Sequence, residues 1–98
     1  MPLESTITRS IQKSAKDRGW WVLKVAGGEF QRPGIPDVLC VKHGRAVFLE
    51  VKRPGNKPTP LQLVVIDELR SAGAVAEVVY SRSEAEGVLD SEEARWSQ

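Results

Sequence analysis

Pro36-Asp37-Val38-Leu39-Cys40-Val41-Lys42-His43-Gly44-Arg45-Ala46-Val47-Phe48-Leu49-Glu50-Val51-Lys52 is the stretch on which the fold turns. Two extended, largely apolar runs, Asp37 to Val41 and Ala46 to Lys52, flank Lys42-His43-Gly44-Arg45, whose glycine suits a tight reversal, so the segment reads as a hairpin. Centring the turn on His43-Gly44 sets residue 50 opposite residue 37. Side chains alternate along a strand, so Glu50 and Lys52 share one face while Val51 points the other way into the core. Asp37 and Glu50 become cross-strand neighbours, with Cβ atoms about 4.5 to 5.5 Å apart.

Two carboxylates so placed repel each other unless a proton or a cation lies between them. A hard divalent cation with oxygen ligands resolves the conflict; magnesium typically takes one or two protein carboxylates together with water and substrate phosphate. Lys52, on the same face, is then placed to orient or deprotonate a water, or to stabilise charge developing on a phosphate. The alternative is a solvated hairpin face on which Glu50 and Lys52 form a same-face ion pair. The run from Ala46 to Lys52 is otherwise nearly all apolar and looks buried on both faces, where a carboxylate and an ammonium without a function are costly.

Working outward toward the N-terminus, residues 27–36 form the longest loop, with three glycines and two prolines. Trp20 to Val25, aromatic and β-branched, reads as a strand that stops at Gly27-Gly28. Residues 4–18 space Ile7, Ile11 and Ala15 as an amphipathic helix ending near Gly19. Glu4 falls on its buried stripe, where it either complements the helix dipole or projects a carboxylate into a site.

Toward the C-terminus, Pro54 to Pro58 is a basic loop, and Thr59-Pro60-Leu61-Gln62 opens a second helix that runs through Leu69 to Ala72-Gly73. Ala74 to Tyr80 is a fourth strand, and Ser83-Glu84-Ala85-Glu86 reads as a capping box that starts a short helical tail. The order helix-strand-strand-strand-helix-strand predicts an α/β fold: a mixed four-stranded sheet flanked by helices, in a single domain over 1–98 with its core over about 4–81 and an acidic tail over 83–98.

Composition narrows the function classes. The chain has 98 residues and a formal charge of +1, but residues 1–57 carry eleven bases against five acids, whereas residues 58–98 carry three against eight. A basic half of this kind points to a polyanionic partner. The lone Cys40 excludes a disulfide framework or a Cys-based zinc site within one chain and reads as a packed strand residue. His43, the sole histidine, excludes a His-rich metal site and leaves only one candidate base for a Ser/His/Asp arrangement. Gly27, Gly28 and Gly34 fit neither the dinucleotide nor the Walker pattern. No apolar run is long enough to span a bilayer, and a cytoplasmic location is expected. Arg32, Arg53 and Lys57 lie in the loops flanking the proposed site, placed for phosphate contacts, with solvated loop cations as the alternative. Trp20 and Trp21 are adjacent, so one faces each side of the strand; at least one belongs to the core, and the other is free to pack a partner or stack a base.

Pro36-Asp37, twelve intervening residues, then Glu50-Val51-Lys52 resembles the PD-(D/E)XK nuclease motif, and the element order resembles that superfamily's restriction-endonuclease-like core. More narrowly, Gly34-Ile35-Pro36-Asp37-Val38, Phe48-Leu49-Glu50-Val51-Lys52 and Thr59-Pro60-Leu61-Gln62 resemble the VRR-NUC family of virus-type replication and repair nucleases, over about residues 4–81. The resemblance implies that Asp37, Glu50 and the Val51 carbonyl are metal ligands, that Lys52 is the base or charge stabiliser, and that Glu4 is the acid brought by the first helix. Gln62 matches a family glutamine near the metal, a reading that stands level with a plain helix cap. Val65 departs from the pattern, since relatives often carry an aromatic there. The resemblance further implies Mg2+ or Mn2+ as cofactor, branched DNA such as four-way (Holliday) junctions as substrate, a symmetric homodimer, and a bacterial or phage-infected cell, or its nucleoid, as the setting. A non-catalytic nucleic-acid-binding module, a nuclease acting on other DNA or RNA structures, and an interaction domain built on the acidic half are the competing readings.

Overall fold

The computed structural model describes residues 2–25 and 32–96. Its elements are α1 (Glu4–Asp17), β1 (Trp21–Lys24), β2 (Val38–Lys42), β3 (Arg45–Val51), α2 (Pro60–Ser71), β4 (Val75–Val79) and α3 (Arg82–Trp96). The sheet runs β1-β2-β3-β4, antiparallel through the first three strands and parallel between β3 and β4, with α2 as the crossover. The mixed α/β architecture expected from the sequence is the one observed.

The hairpin register pairs Val38 with Leu49 and Lys42 with Arg45, so the two-residue turn is His43-Gly44 as expected. Both turn residues have positive φ, 50° and 74°, the geometry whose twist matches that of the flanking strands. Val38, Cys40, Val47, Leu49 and Val51 point to one face and pack with Ile7, Ile11 and Ala15 of α1 and Ala85 and Leu89 of α3. Burial pushes the Cys40 thiol to about 11, as suits an unreactive packed residue. α2 lies on the opposite face, where Val65, Ile66 and Ala76 are buried outside that cluster.

Helix α1 ends where Gly19, with φ 85°, lets its N–H donate to the Lys16 carbonyl and that of Trp20 to Ala15. Closing the helix this way uses the Trp20 N–H, so the strand expected over Trp20 to Val25 contracts to Trp21–Lys24. Trp20 is buried against Trp96, ring centroids 5.4 Å apart, while Trp21 stays 58% exposed. Gly27-Gly28 and the first half of the 27–36 loop lie outside the described residues.

The capping box expected at Ser83 is displaced. Ser81 is the cap, its Oγ accepting from the Glu84 N–H at 3.1 Å, and α3 already begins at Arg82. Glu86 instead accepts from the Ser14 hydroxyl of α1 and from Arg18, the residue that caps that helix. The tail is a 15-residue helix with Ala85, Leu89 and Glu92 buried at i, i+4, i+7 spacing. Its acids also hold Lys42 through Glu93, Arg45 through Glu92 and Arg18 through Asp90. Much of the acidic half is therefore spent neutralising bases of the first half at the hairpin end of the sheet.

Candidate active site

The far end of the hairpin carries the expected site residues. Pro36 is buried and feeds the chain into β2 in extended form, and the Asp37 carbonyl accepts from the Val25 N–H at 2.7 Å. Asp37 precedes the first paired residue, Val38, by one, so the observed register continues to place it opposite Glu50. Its Oδ2 accepts from the Val51 N–H at 2.8 Å, which orients the carboxylate at the end of β3. The Lys52 N–H donates to the Val79 carbonyl at 3.0 Å, extending the parallel pairing one residue past β3. Glu50 thus sits in β3, and Asp37 and Lys52 lie one residue beyond the strand ends, held there by backbone hydrogen bonds.

Glu50 is 1% exposed, and its Oε1 has no hydrogen-bond partner. Burial first, then the neighbouring Asp37 carboxyl through hydrogen bonding and charge, push the Glu50 carboxyl up to about 8; the Glu4 charge adds to this and Lys52 opposes it. Near neutral pH such a group holds a proton. A buried carboxyl with an orphaned oxygen facing a second carboxylate is the environment in which a divalent cation substitutes for that proton. Asp37 and Glu50 therefore fit the oxygen donor set that magnesium or manganese takes.

The remaining residues divide. Glu4, at the start of α1, accepts from the Asn56 amide at 3.2 Å, and its charge reaches Glu50. Among the described residues no three His, Cys, Asp or Glu side chains gather into a metal-holding group, so Glu4 does not close a three-carboxylate cluster with the other two. Gln62 serves the helix: its Oε1 accepts from the Thr59 N–H at 2.9 Å, and its own N–H donates to the Thr59 Oγ1 at 3.2 Å, a full capping box. Arg32 is ion-paired with Glu68 of α2, whereas Arg53 and Lys57 are exposed and have no ionic partner among the described residues. His43 is at the opposite end of the hairpin, edge-on to Trp96.

Two contributions were not legible in the sequence: the contact made by Asn56, and the packing of Gly34, which the sequence offered only as part of a motif. Asn56 ties the basic loop to α1, and nothing in its surroundings in sequence marks that role. Lys24 ends β1 opposite Val38, one residue from Asp37, but it shares the face of Val38, which packs toward α1 and α3, and not the face of Asp37, Glu50 and Lys52. Gly34 has φ 85°, and a Cβ there would lie 2.9 Å from Leu61 Cγ and 3.0 Å from the Leu61 carbonyl oxygen. The loop before Asp37 therefore packs directly on the first turn of α2, and the glycine makes that approach possible.

No family model matches the chain. A solved structure described as a VRR_NUC domain superposes with a TM-score of 0.75 at 28% identity, covering 89% of this chain and 94% of its own. A protein of Acyrthosiphon pisum secondary endosymbiont phage 1, named "Putative nuclease p44", is 48% identical over 33 residues. That match takes in 33% of this chain and spans about a third, 36%, of the phage protein.

Proposed function

We propose that this chain, whose fold is that of the VRR_NUC domain it superposes on, belongs with the VRR-NUC nucleases of the PD-(D/E)XK superfamily and is a magnesium- or manganese-dependent endonuclease that hydrolyses DNA phosphodiester bonds, acting on branched DNA such as four-way junctions. The observation that carries this reading is Glu50: buried, with an unpartnered oxygen, beside Asp37 and on the face it shares with Lys52. A structural glutamate would be paired; this one is held ready for a cation.

Asp37, Glu50 and the Val51 carbonyl are the groups that would hold the ion, with Glu4 approaching from α1. The ion, when bound, supplies Lewis-acid stabilisation of the phosphate and lowers the pKa of an attacking water. The Val51 N–H keeps the Asp37 carboxylate in place. Lys52 lies beside the reacting phosphate, where as an ammonium it stabilises the developing negative charge or, as a neutral amine, it would receive the water's proton. Arg53 and Lys57 hold flanking phosphates, giving affinity without base specificity. Gln62 acts on the site by fixing the start of α2, on which the Gly34 loop rests.

A single site cuts one strand, so cleavage of paired strands calls for two. The outer strand β1 presents Trp21 and Leu23, 58% and 46% exposed, an apolar edge suited to a symmetric homodimer. Labelled linear, flapped, splayed and four-way-junction DNA, incubated with magnesium, manganese or chelator, tests the reading. Metal-dependent cutting that Glu50→Gln and Asp37→Asn abolish, by a species of twice 10.8 kDa, is the expected result. If no substrate is cut under either metal, the chain is a binding module instead. Cleavage that survives both substitutions would remove the active-site assignment.

A further inference from the structure

Most of the cations in this chain are neutralised. Among the described residues, only Arg9, Lys16, Lys24, Lys52, Arg53 and Lys57 have no acidic partner within 4 Å, and four of these lie at the catalytic end of the sheet. The other two, Arg9 and Lys16, are exposed on α1, and the exposed Lys13 lies between them. Spacings of four and three residues stack these three side chains on one helix face. That face is opposite Ile7, Ile11 and Ala15, which are buried against the sheet.

The two acids of α1 do not cancel it. Glu4 is turned to Asn56, and Asp17 is a solvent-exposed partner of Lys13 alone. The Asn56–Glu4 contact also sets the loop that bears Arg53 and Lys57 against the first turn of α1. The helix whose first turn meets the catalytic loop thus carries on its outer face two cations without acidic partners among the described residues, Arg9 and Lys16, with Lys13, shared with Asp17, between them. The 14 residues of α1 span about 21 Å, the length of roughly six base pairs of duplex at 3.4 Å per step.

Resting on the nuclease reading above, we propose that the outer face of α1, through Arg9, Lys13 and Lys16, is a second phosphate-contacting surface that holds a DNA arm leading away from the cut. The catalytic loop grips phosphates next to the reacting bond, and the helix grips the backbone up to about half a turn further on. Such contacts carry no sequence information; they set how strongly binding depends on salt and on arm length.

The test is equilibrium binding in chelator, so that nothing is cut, to a four-way junction with arms of about 15 base pairs, across about 50 to 200 mM salt. Each phosphate contact contributes about 0.9 to the slope of log K against log salt, so Arg9→Gln with Lys16→Gln should flatten that slope by about 1.8. Both side chains are exposed, and an unchanged melting temperature verifies that the variant folds. The control removes the same charge elsewhere: Arg82→Gln with Arg95→Gln, both already paired on α3, should leave the slope where it is. A wild-type slope in the α1 variant, or an equal fall in the control, overturns the proposal and leaves the nuclease reading intact. A wild-type chain that neither binds nor cuts any DNA overturns both.

Discussion

Glu50 and Glu92 are both buried, at 1% and 4% exposure, at opposite ends of β3, and they do opposite things. Glu92 accepts from Arg45 at 3.0 Å and lies 3.7 Å from Arg95, so its charge is matched by the hairpin and by its own helix. Glu50 has an oxygen with no partner and a second carboxyl as neighbour, and burial with that neighbour drives its pKa up to about 8. One glutamate is buried because it is compensated. The other is buried although it is not, and on the proposed function a cation would supply the missing compensation. Burial of charge alone therefore does not identify a functional residue; a buried, unsatisfied carboxyl facing a second carboxyl is the sharper pointer.

The pH dependence of stability should separate the two most widely. Without metal, folded Glu50 keeps its proton to about 8, whereas the unfolded chain releases it near the ordinary 4.5. The stability this contributes is whole below 4.5 and is lost as pH rises through about 8, a loss of the order of a few kcal/mol at about 1.4 per unit. Denaturant melts in chelator should show that decline in the wild type and a flatter profile in Glu50→Gln. Magnesium at pH 8 should restore the wild type alone.

Gly34→Ala strikes the support of the Glu50 end. The left-handed φ and the contacts with Leu61 and Val65 together should cost about 2 kcal/mol, with slower cleavage because the Asp37 loop shifts. Gly44→Ala, at the hairpin end with φ 74° and nothing within 4 Å, bears only the backbone strain of about 1 kcal/mol and leaves cleavage alone. Equal effects on cleavage would show that the loop does not position the site.

Glu92→Gln should leave the cleavage rate within a few-fold and lower stability by about 1 to 2 kcal/mol. The effect is less than for a fully buried pair because the Arg45 side chain is 45% exposed and water screens it. The smallest effect expected is from Gln62→Glu, which keeps an acceptor for the Thr59 N–H and should shift the melting free energy by a few tenths of a kcal/mol. Cleavage within twofold of wild type would assign Gln62 to the helix; a tenfold loss would return it to the site.

How much was legible differs between these ends. The facing of Asp37 and Glu50 follows from period-two alternation and a two-residue turn, both local, and the register bears it out. The burial of Glu92 was not legible, because in an acidic tail it looks like its neighbours until Arg45 is brought to it from the hairpin. The start of α3 was ambiguous for a related reason. Ser81 with Glu84 and Ser83 with Glu86 both have capping-box spacing, and the choice fell to Ser81 because β4 ends at Val79 and Glu86 is engaged by Ser14 and Arg18.

What the amino-acid order determined by itself is what short-range geometry controls: which segments are strands and helices, the hairpin register, the cap on α2 and the shared face of Glu50 and Lys52. Only the tertiary structure decided which acids are matched by cations and which are not. Ion pairing joins residues 47 to 72 positions apart, across α1, the hairpin and α3, and no local pattern encodes those distances. The fold likewise leaves one oxygen of Glu50 without a partner and, among the described residues, Arg9, Lys16, Arg53 and Lys57 without acids, so the division between a neutralised end and an uncompensated end is a property of the fold.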